Sequence, residues 1–191
     1  MLKAEPSRRA TLRRRVHEAH EQLDHSMGDL GSAQDYERYL KAIAAFRFAA
    51  EHALAGHDYP EWFGGWRPVA TSAELEKDLE VLGLAAPVMP PIQRPGTESE
   101  LLGMLYTLEG SALGARLIAR RAAALGYDGS NGASHLSHQT SSPDNWRDFL
   151  LLLEKSPEFD EEEAGSAAST LFRHAREAVT LVDRAEEEVH G

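Results

Sequence analysis

Apolar residues in this chain recur every three or four positions, and no stretch of alternating apolar and polar β-branched residues offers a strand. That periodicity confines the chain to an all-α fold. The first helix is expected to begin near Ser7 and to carry Leu12, Val16, Ala19, His20, Leu23, Met27 and Leu30 on one face before Gly28 and Gly31. A second starts at Ser32, with Asp35 three residues on, and runs to Gly56. Residues 57–70 combine proline, paired glycine and large aromatic rings, the composition of an ordered loop packed by its own side chains. Thr71-x-x-Glu74 opens a third helix ending at Gly83, and Thr97-x-x-Glu100 opens a long one reaching Leu125. A loop is expected from Tyr127 to Ser142. Ser142-Pro143 then begins a leucine-rich helix through Glu154, and a last helix follows the acidic run Asp160–Glu163 to about Val189.

With 191 residues, 42% of them apolar, and neither an internal repeat nor a linker, the whole chain 1–191 reads as a single domain with a real core. Zero cysteines exclude disulfides, iron–sulfur clusters, thiolate zinc sites and a cysteine nucleophile, and fit a reducing cytoplasm. A formal net charge of −11 opposes binding to nucleic acid or to an anionic membrane. Residues 1–20 nevertheless concentrate Lys3, Arg8, Arg9, Arg13, Arg14 and Arg15 against only Glu5 and Glu18, a patch suited to a small anionic ligand or an acidic partner, or simply a solvated helix face. No apolar run approaches the roughly 18 residues of a membrane span, and the N-terminus lacks the apolar core of a secretory signal.

Nine histidines raise the question of a metal. A carboxylate-bridged di-iron bundle needs two Glu-x-x-His pairs, and only Glu187-x-x-His190 qualifies, while His17 and His20 stand one residue too close for the His-Glu-x-x-His zinc motif. His20 is distinct because it falls on the apolar stripe and is expected to point inward. Asp24, one turn further on, can hold the imidazole nitrogen that a metal does not use. The residues alone leave two readings of His20, a core histidine satisfied by its neighbour or a metal ligand. The segment Leu108-Glu109-Gly110-Ser111-Ala112-Leu113-Gly114-Ala115 is the second anomaly, since each glycine inside a helix costs about 1 kcal/mol relative to alanine. Two readings stay open here too: close packing against another helix, or a flat ligand lying on bare backbone.

On these residues the chain resembles the haem oxygenase family, in particular its bacterial biliverdin-producing members. Leu12-Arg13 followed by His20-Glu21-Gln22-Leu23-Asp24 is similar to the family's proximal-helix pattern, and Leu105-Tyr106-Thr107-Leu108-Glu109-Gly110-Ser111-x-Leu113-Gly114 to its distal-helix motif. Asp78-Leu79-x-x-Leu82-Gly83, Trp146-Arg147-x-Phe149 and Ala168-x-Thr170-x-Phe172 add to the likeness, which covers about residues 12–182. The resemblance implies a single-domain helical bundle with haem held between its proximal and distal helices. It makes His20 the proximal iron ligand, Asp24 its partner, and Arg13 and Arg173 the basic residues near the haem propionates. Gly110, Ser111, Gly114 and Ala115 become the distal wall above the oxygen site, Ala115 standing where the family commonly has a second glycine.

The implied activity is oxidative opening of haem to biliverdin, carbon monoxide and ferrous iron, with haem as both substrate and cofactor. Oxygen and electrons from an external reductase drive it, the donor being a ferredoxin or a flavin reductase, and a bacterial phytochrome is a possible recipient of the biliverdin. Two other readings remain: a haem-binding carrier or sensor of the same fold without turnover, and a haem-free enzyme of the wider superfamily.

Overall fold

A computed structural model describes residues 7–190; Lys3 and Glu5 of the basic N-terminal stretch lie outside it, as does the side chain of His190. Among the described residues the chain forms seven α-helices, one 3₁₀ turn at Glu61–Phe63 and no strand. In chain order the helices are α1 (Arg8–Met27), α2 (Ala33–Leu54), α3 (Ser72–Leu82), α4 (Glu98–Ala124), α5 (Ser134–Thr140), α6 (Pro143–Lys155) and α7 (Glu161–His190). The all-α expectation is met. The expected loop from Tyr127 to Ser142 is corrected by α5, seven polar-rich residues with no stripe long enough to reveal a helix in the sequence.

The starts of these helices show which local signals act. Ser7 caps α1 by accepting from Ala10 N at 3.2 Å, and Ser32 with Asp35 forms a reciprocal capping box on α2. Thr71 begins α3 as expected but does not cap it, because its hydroxyl is engaged by Arg47 and Glu51 of α2. The cap comes instead from Glu51, whose carboxylate accepts from Thr71 N at 2.8 Å and Ser72 N at 3.1 Å. A long-range carboxylate has replaced a local one, and α2 is thereby fixed to α3. Thr97 caps α4 by accepting from Glu100 N at 3.1 Å, while Ser142 provides no side-chain cap and Pro143 alone opens α6.

The long last helix α7 organises the bundle, with α1, α2 and α4 all packed along it. One apolar cluster joins Leu12 and Val16 of α1, Phe46 and Ala50 of α2, Leu101 and Leu105 of α4, Phe149 of α6 and Leu171 of α7. A second, around Tyr36, Tyr39, Leu75, Leu79 and Leu136, binds α2, α3 and α5 at the other end. The aromatic loop is ordered as expected, and its rings continue into the core: Trp62, Phe63, Trp66 and Phe149 contact one another in sequence. At the α4–α7 crossing the two backbones come close together at Gly103. A Cβ on Gly103 would overlap the carbonyl oxygen of Ala164 and stand 2.8 Å from its carbon. Close helix packing is thus the task of Gly103, not of the glycines that the sequence made conspicuous.

Candidate functional site

On α1 the buried seam runs through Leu12, Val16, Ala19 and Leu23, which face α7 and the core. Residues seven apart return to within about 20° of each other on a helix, so Arg13 and His20 share the flank beside that seam, about 10 Å apart along the axis. The expectation that His20 points inward is corrected accordingly: its side chain is 56% exposed, because the seam passes through Ala19 and Leu23 and leaves His20 at the margin. Its ring lies 5.4 Å from that of Phe172 on α7. Asp24 is placed as expected, with Oδ2 3.0 Å from His20 Nδ1. That contact orients the imidazole and leaves Nε2 without a partner among the described residues, the arrangement in which a histidine can take a metal.

Arg13 is exposed, and among the described residues its guanidinium forms no ion pair. Burial pushes the Tyr106 phenol of α4 above its ordinary range, and the charges of Arg9 and Arg13 pull it partly back. Tyr106 in turn packs its ring against Trp146 of α6, at 5.5 Å between centroids. Arg173 is exposed on α7, one residue from Phe172, and donates to Thr170 Oγ1 at 2.7 Å. The structure therefore brings Arg13, His20 and Asp24 onto one flank, while Arg173 is not shown on it and bonds within its own helix.

Across the bundle, α4 presents Gly110, Gly114 and Leu117 on one face at four- and three-residue spacing. A Cβ on Gly110 would make ordinary contact with Trp146 at 3.5 Å, and one on Gly114 would meet nothing within 4 Å. Leu117 is 47% exposed. Gly114 and Leu117 thus leave a strip of helix surface uncovered, while Gly110 lies against Trp146 of α6. Ala115 is corrected as a member of this strip. At 2% exposure it belongs to the buried cluster of Tyr36, Tyr39 and Leu136, since the next residue along a helix turns about 100° away. Replacing Ala115 by glycine should therefore lower stability by about 1.5–2 kcal/mol, the sum of lost helix propensity and one buried methyl. A chemical melt of the haem-free protein reads this directly, and a midpoint equal to wild type would return Ala115 to the exposed wall.

Ser111 holds no proton free for chemistry. Its hydroxyl donates to the Leu108 carbonyl at 2.6 Å and accepts from Gln139 Nε2 at 2.7 Å. Glu109 is buried behind the strip, accepting from Val69 N at 2.8 Å and from Asn145 Nδ2 at 2.6 Å; burial nonetheless keeps its carboxyl above the ordinary carboxylate range. Beside it a cavity of about 120 Å³ is lined by Leu113, Arg116, Gln139 and Trp146 among others. Sequence reasoning had no role for Gln139, which lay in the supposed loop. The available signal was Asp78: Leu75, Asp78, Leu79 and Leu82 share one helical face, and a carboxylate on a buried face demands partners, which α5 supplies.

Among the described residues no three histidine, aspartate or glutamate side chains gather into a metal-holding group. Among the described residues no helix is long and apolar enough to cross a membrane. No family model matches the chain. It is 30% identical to haem oxygenase PigA of Pseudomonas aeruginosa over 161 residues, 82% of this chain and 81% of that one. It is also 33% identical to a haem oxygenase of Xanthomonas campestris over 129 residues, 64% of this chain and 72% of the other. Its fold superposes on the crystal structure of the NO- and CO-bound haem oxygenase of Neisseria meningitidis with a TM-score of 0.72, at 24% identity and over 92% of each chain. The extent and identity of the match to PigA settle the relationship: this chain belongs to the haem oxygenase family.

Proposed function

We propose that the chain opens haem to biliverdin, releasing carbon monoxide and ferrous iron, with oxygen and with electrons delivered by a ferredoxin or a flavin reductase. The observation that carries this reading is the pairing of a free His20 Nε2, braced by Asp24, with a bare helical strip at Gly110 and Gly114 in a chain of this family. His20 holds the iron through Nε2 in its neutral form, and the Asp24 carboxylate on Nδ1 makes it a stronger donor. Arg13, on the same flank, answers one propionate with a fork of N–H donors, and Arg173 of α7 is assigned a second. The haem, as substrate, supplies the oxygen-activating iron itself.

The residues of α4 contribute shape. With the Ser111 proton committed to Leu108, the hydroxyl offers an acceptor and no acid, so proton delivery falls to water admitted along the strip. Because the Ala115 methyl is turned into the core, the departure from a paired glycine leaves the strip unobstructed and favours turnover over a haem carrier. The absence of cysteine suits work in a reducing cytoplasm, where biliverdin could pass to a phytochrome.

Titration with haemin should give a Soret band saturating at one equivalent, and a reductant in air should then convert it to biliverdin recovered by chromatography, with ferrous iron captured by a chelator. A haemin complex that survives reductant and air unchanged would establish the carrier reading instead. Failure to form a stoichiometric band would leave a haem-free enzyme of this fold.

A further inference from the structure

Gln139 closes the last turn of α5 and donates from Nε2 to Ser111 Oγ at 2.7 Å. The direction of that bond is set by proton counting. A serine hydroxyl has a single proton, Ser111 places it on the Leu108 carbonyl at 2.6 Å, and the oxygen can then only accept from Gln139. The Leu108 carbonyl also receives Arg47 Nη1 at 3.4 Å, and Arg47 is itself fixed by Glu51, Thr71 Oγ1 and the Val69 carbonyl. A serine bonded back to a carbonyl of its own helix often bends that helix, and a second partner on the hydroxyl fixes the bend. Here the back-bond sits at the start of the Gly110–Gly114 strip.

The helix that carries Gln139 is anchored against movement. Asp78 of α3 accepts from Ser134 N at 2.8 Å, His135 N at 2.9 Å and His135 Nδ1 at 2.7 Å. Burial works against charging this carboxylate, but the bonds from His135 and Ser134 outweigh it and hold it below the ordinary range. His135 is 1% exposed, with Tyr39 Oη 3.3 Å from its Nε2, and Tyr36 donates to the Gly132 carbonyl at 2.8 Å. A rigid buried frame thus ends in one partly exposed amide that grips the strip.

The geometry points to Gln139 as a positioning residue for haem cleavage. It holds the Ser111 back-bond, and so fixes how closely the Gly110–Gly114 backbone lies on the distal face of the porphyrin and which edge of the ring is opened. This role rests on the proposed oxygenase reading. It differs from that of Ser111 and the glycines in that Gln139 acts through the strip and not on the substrate.

Hydrogen exchange of the haem-free protein and the biliverdin isomer ratio test it together. Gln139→Ala should speed exchange of amides 111–115 about fivefold, the factor that one net hydrogen bond is worth, with the melting temperature little changed because the side chain is partly exposed. Gln139→Glu should do the same. A carboxylate only accepts, so it takes the Ser111 proton and releases Leu108. Ser111→Ala reaches the same contact from the other side, and combining it with Gln139→Ala should add nothing further. In each variant the isomer ratio should shift from wild type, and Gln139→Asn, one methylene short, should not rescue it. Wild-type exchange rates at 111–115 in Gln139→Ala would overturn the latch. Normal wild-type turnover with an unaltered isomer ratio in the variants would overturn the positioning role alone, whereas a wild-type protein that forms no biliverdin would overturn the oxygenase reading and this role with it.

Discussion

Alanine at Gly103 should lower the melting temperature by about 10 °C, whereas leucine at Gly114 should leave it unchanged or raised and weaken haemin binding about 100-fold. The two glycines sit eleven residues apart on the same helix and differ only in what faces them. At Gly103 the new methyl meets backbone of Ala164, which cannot turn aside as a side chain would, so α4 and α7 must separate. Overpacking of this kind costs about 3 kcal/mol or more, and for a chain of this length each kcal/mol moves the midpoint by roughly 2–4 °C. At Gly114 no atom lies within 4 Å of the added Cβ. Leucine there recovers up to about 1 kcal/mol of helix propensity and fills the space assigned to the porphyrin. Calorimetry and haemin titration on both variants check the pair. A destabilised Gly114→Leu that still binds haemin would show that the strip serves folding, and an unperturbed Gly103→Ala would show that the helices have room to part.

Much of this architecture was legible because helices announce themselves through period and punctuation. Leu12, Val16, Ala19 and Leu23 gave the buried face of α1, and α1, α2, α4 and α6 start at residues with a capping or proline signal, whereas α7 starts at Glu161, inside the acidic run expected to precede it. What the sequence hid depends on distance in the chain. Glu51 caps a helix twenty residues away, and Asp78 captures α5 from fifty-six away, contacts that no local spacing encodes. The same holds at the site. Asp24 was readable as the partner of His20 because one helical turn separates them, and Arg13 because seven residues return to the same flank. Ala115 was misplaced for the converse reason: adjacency in sequence suggested adjacency in function, but one step along a helix points a side chain about 100° away. His20 was placed too deep because the stripe was drawn wide enough to include its margin. Being at that margin is also what leaves Nε2 without a partner among the described residues.

Replacing His20 by alanine should remove the axial nitrogen and weaken haemin binding by more than the roughly 10–100-fold that loss of an outer partner costs a metal site. The helix content should not change. The imidazole is half-exposed, with its ring against that of Phe172, so its loss empties no core cavity, and the Asp24 carboxylate it leaves is exposed to water. Free imidazole added to the His20→Ala haemin complex should restore the low-energy features of nitrogen ligation, since the space is then open to a diffusing ligand. His17 and His25 provide the controls. His17 pairs with Glu21 on another side of α1, and His25 lies off the Arg13–His20–Asp24 flank, so alanine at either should leave the haemin spectrum as in wild type. Asp24→Asn separates coordination from tuning. An amide oxygen still accepts from Nδ1 but carries no charge, so haemin stays bound while the iron–histidine stretching frequency falls. Wild-type spectra in His20→Ala, or an unchanged frequency in Asp24→Asn, would contradict the assignment of each residue separately, because the first reads the bond to iron and the second only the charge behind it.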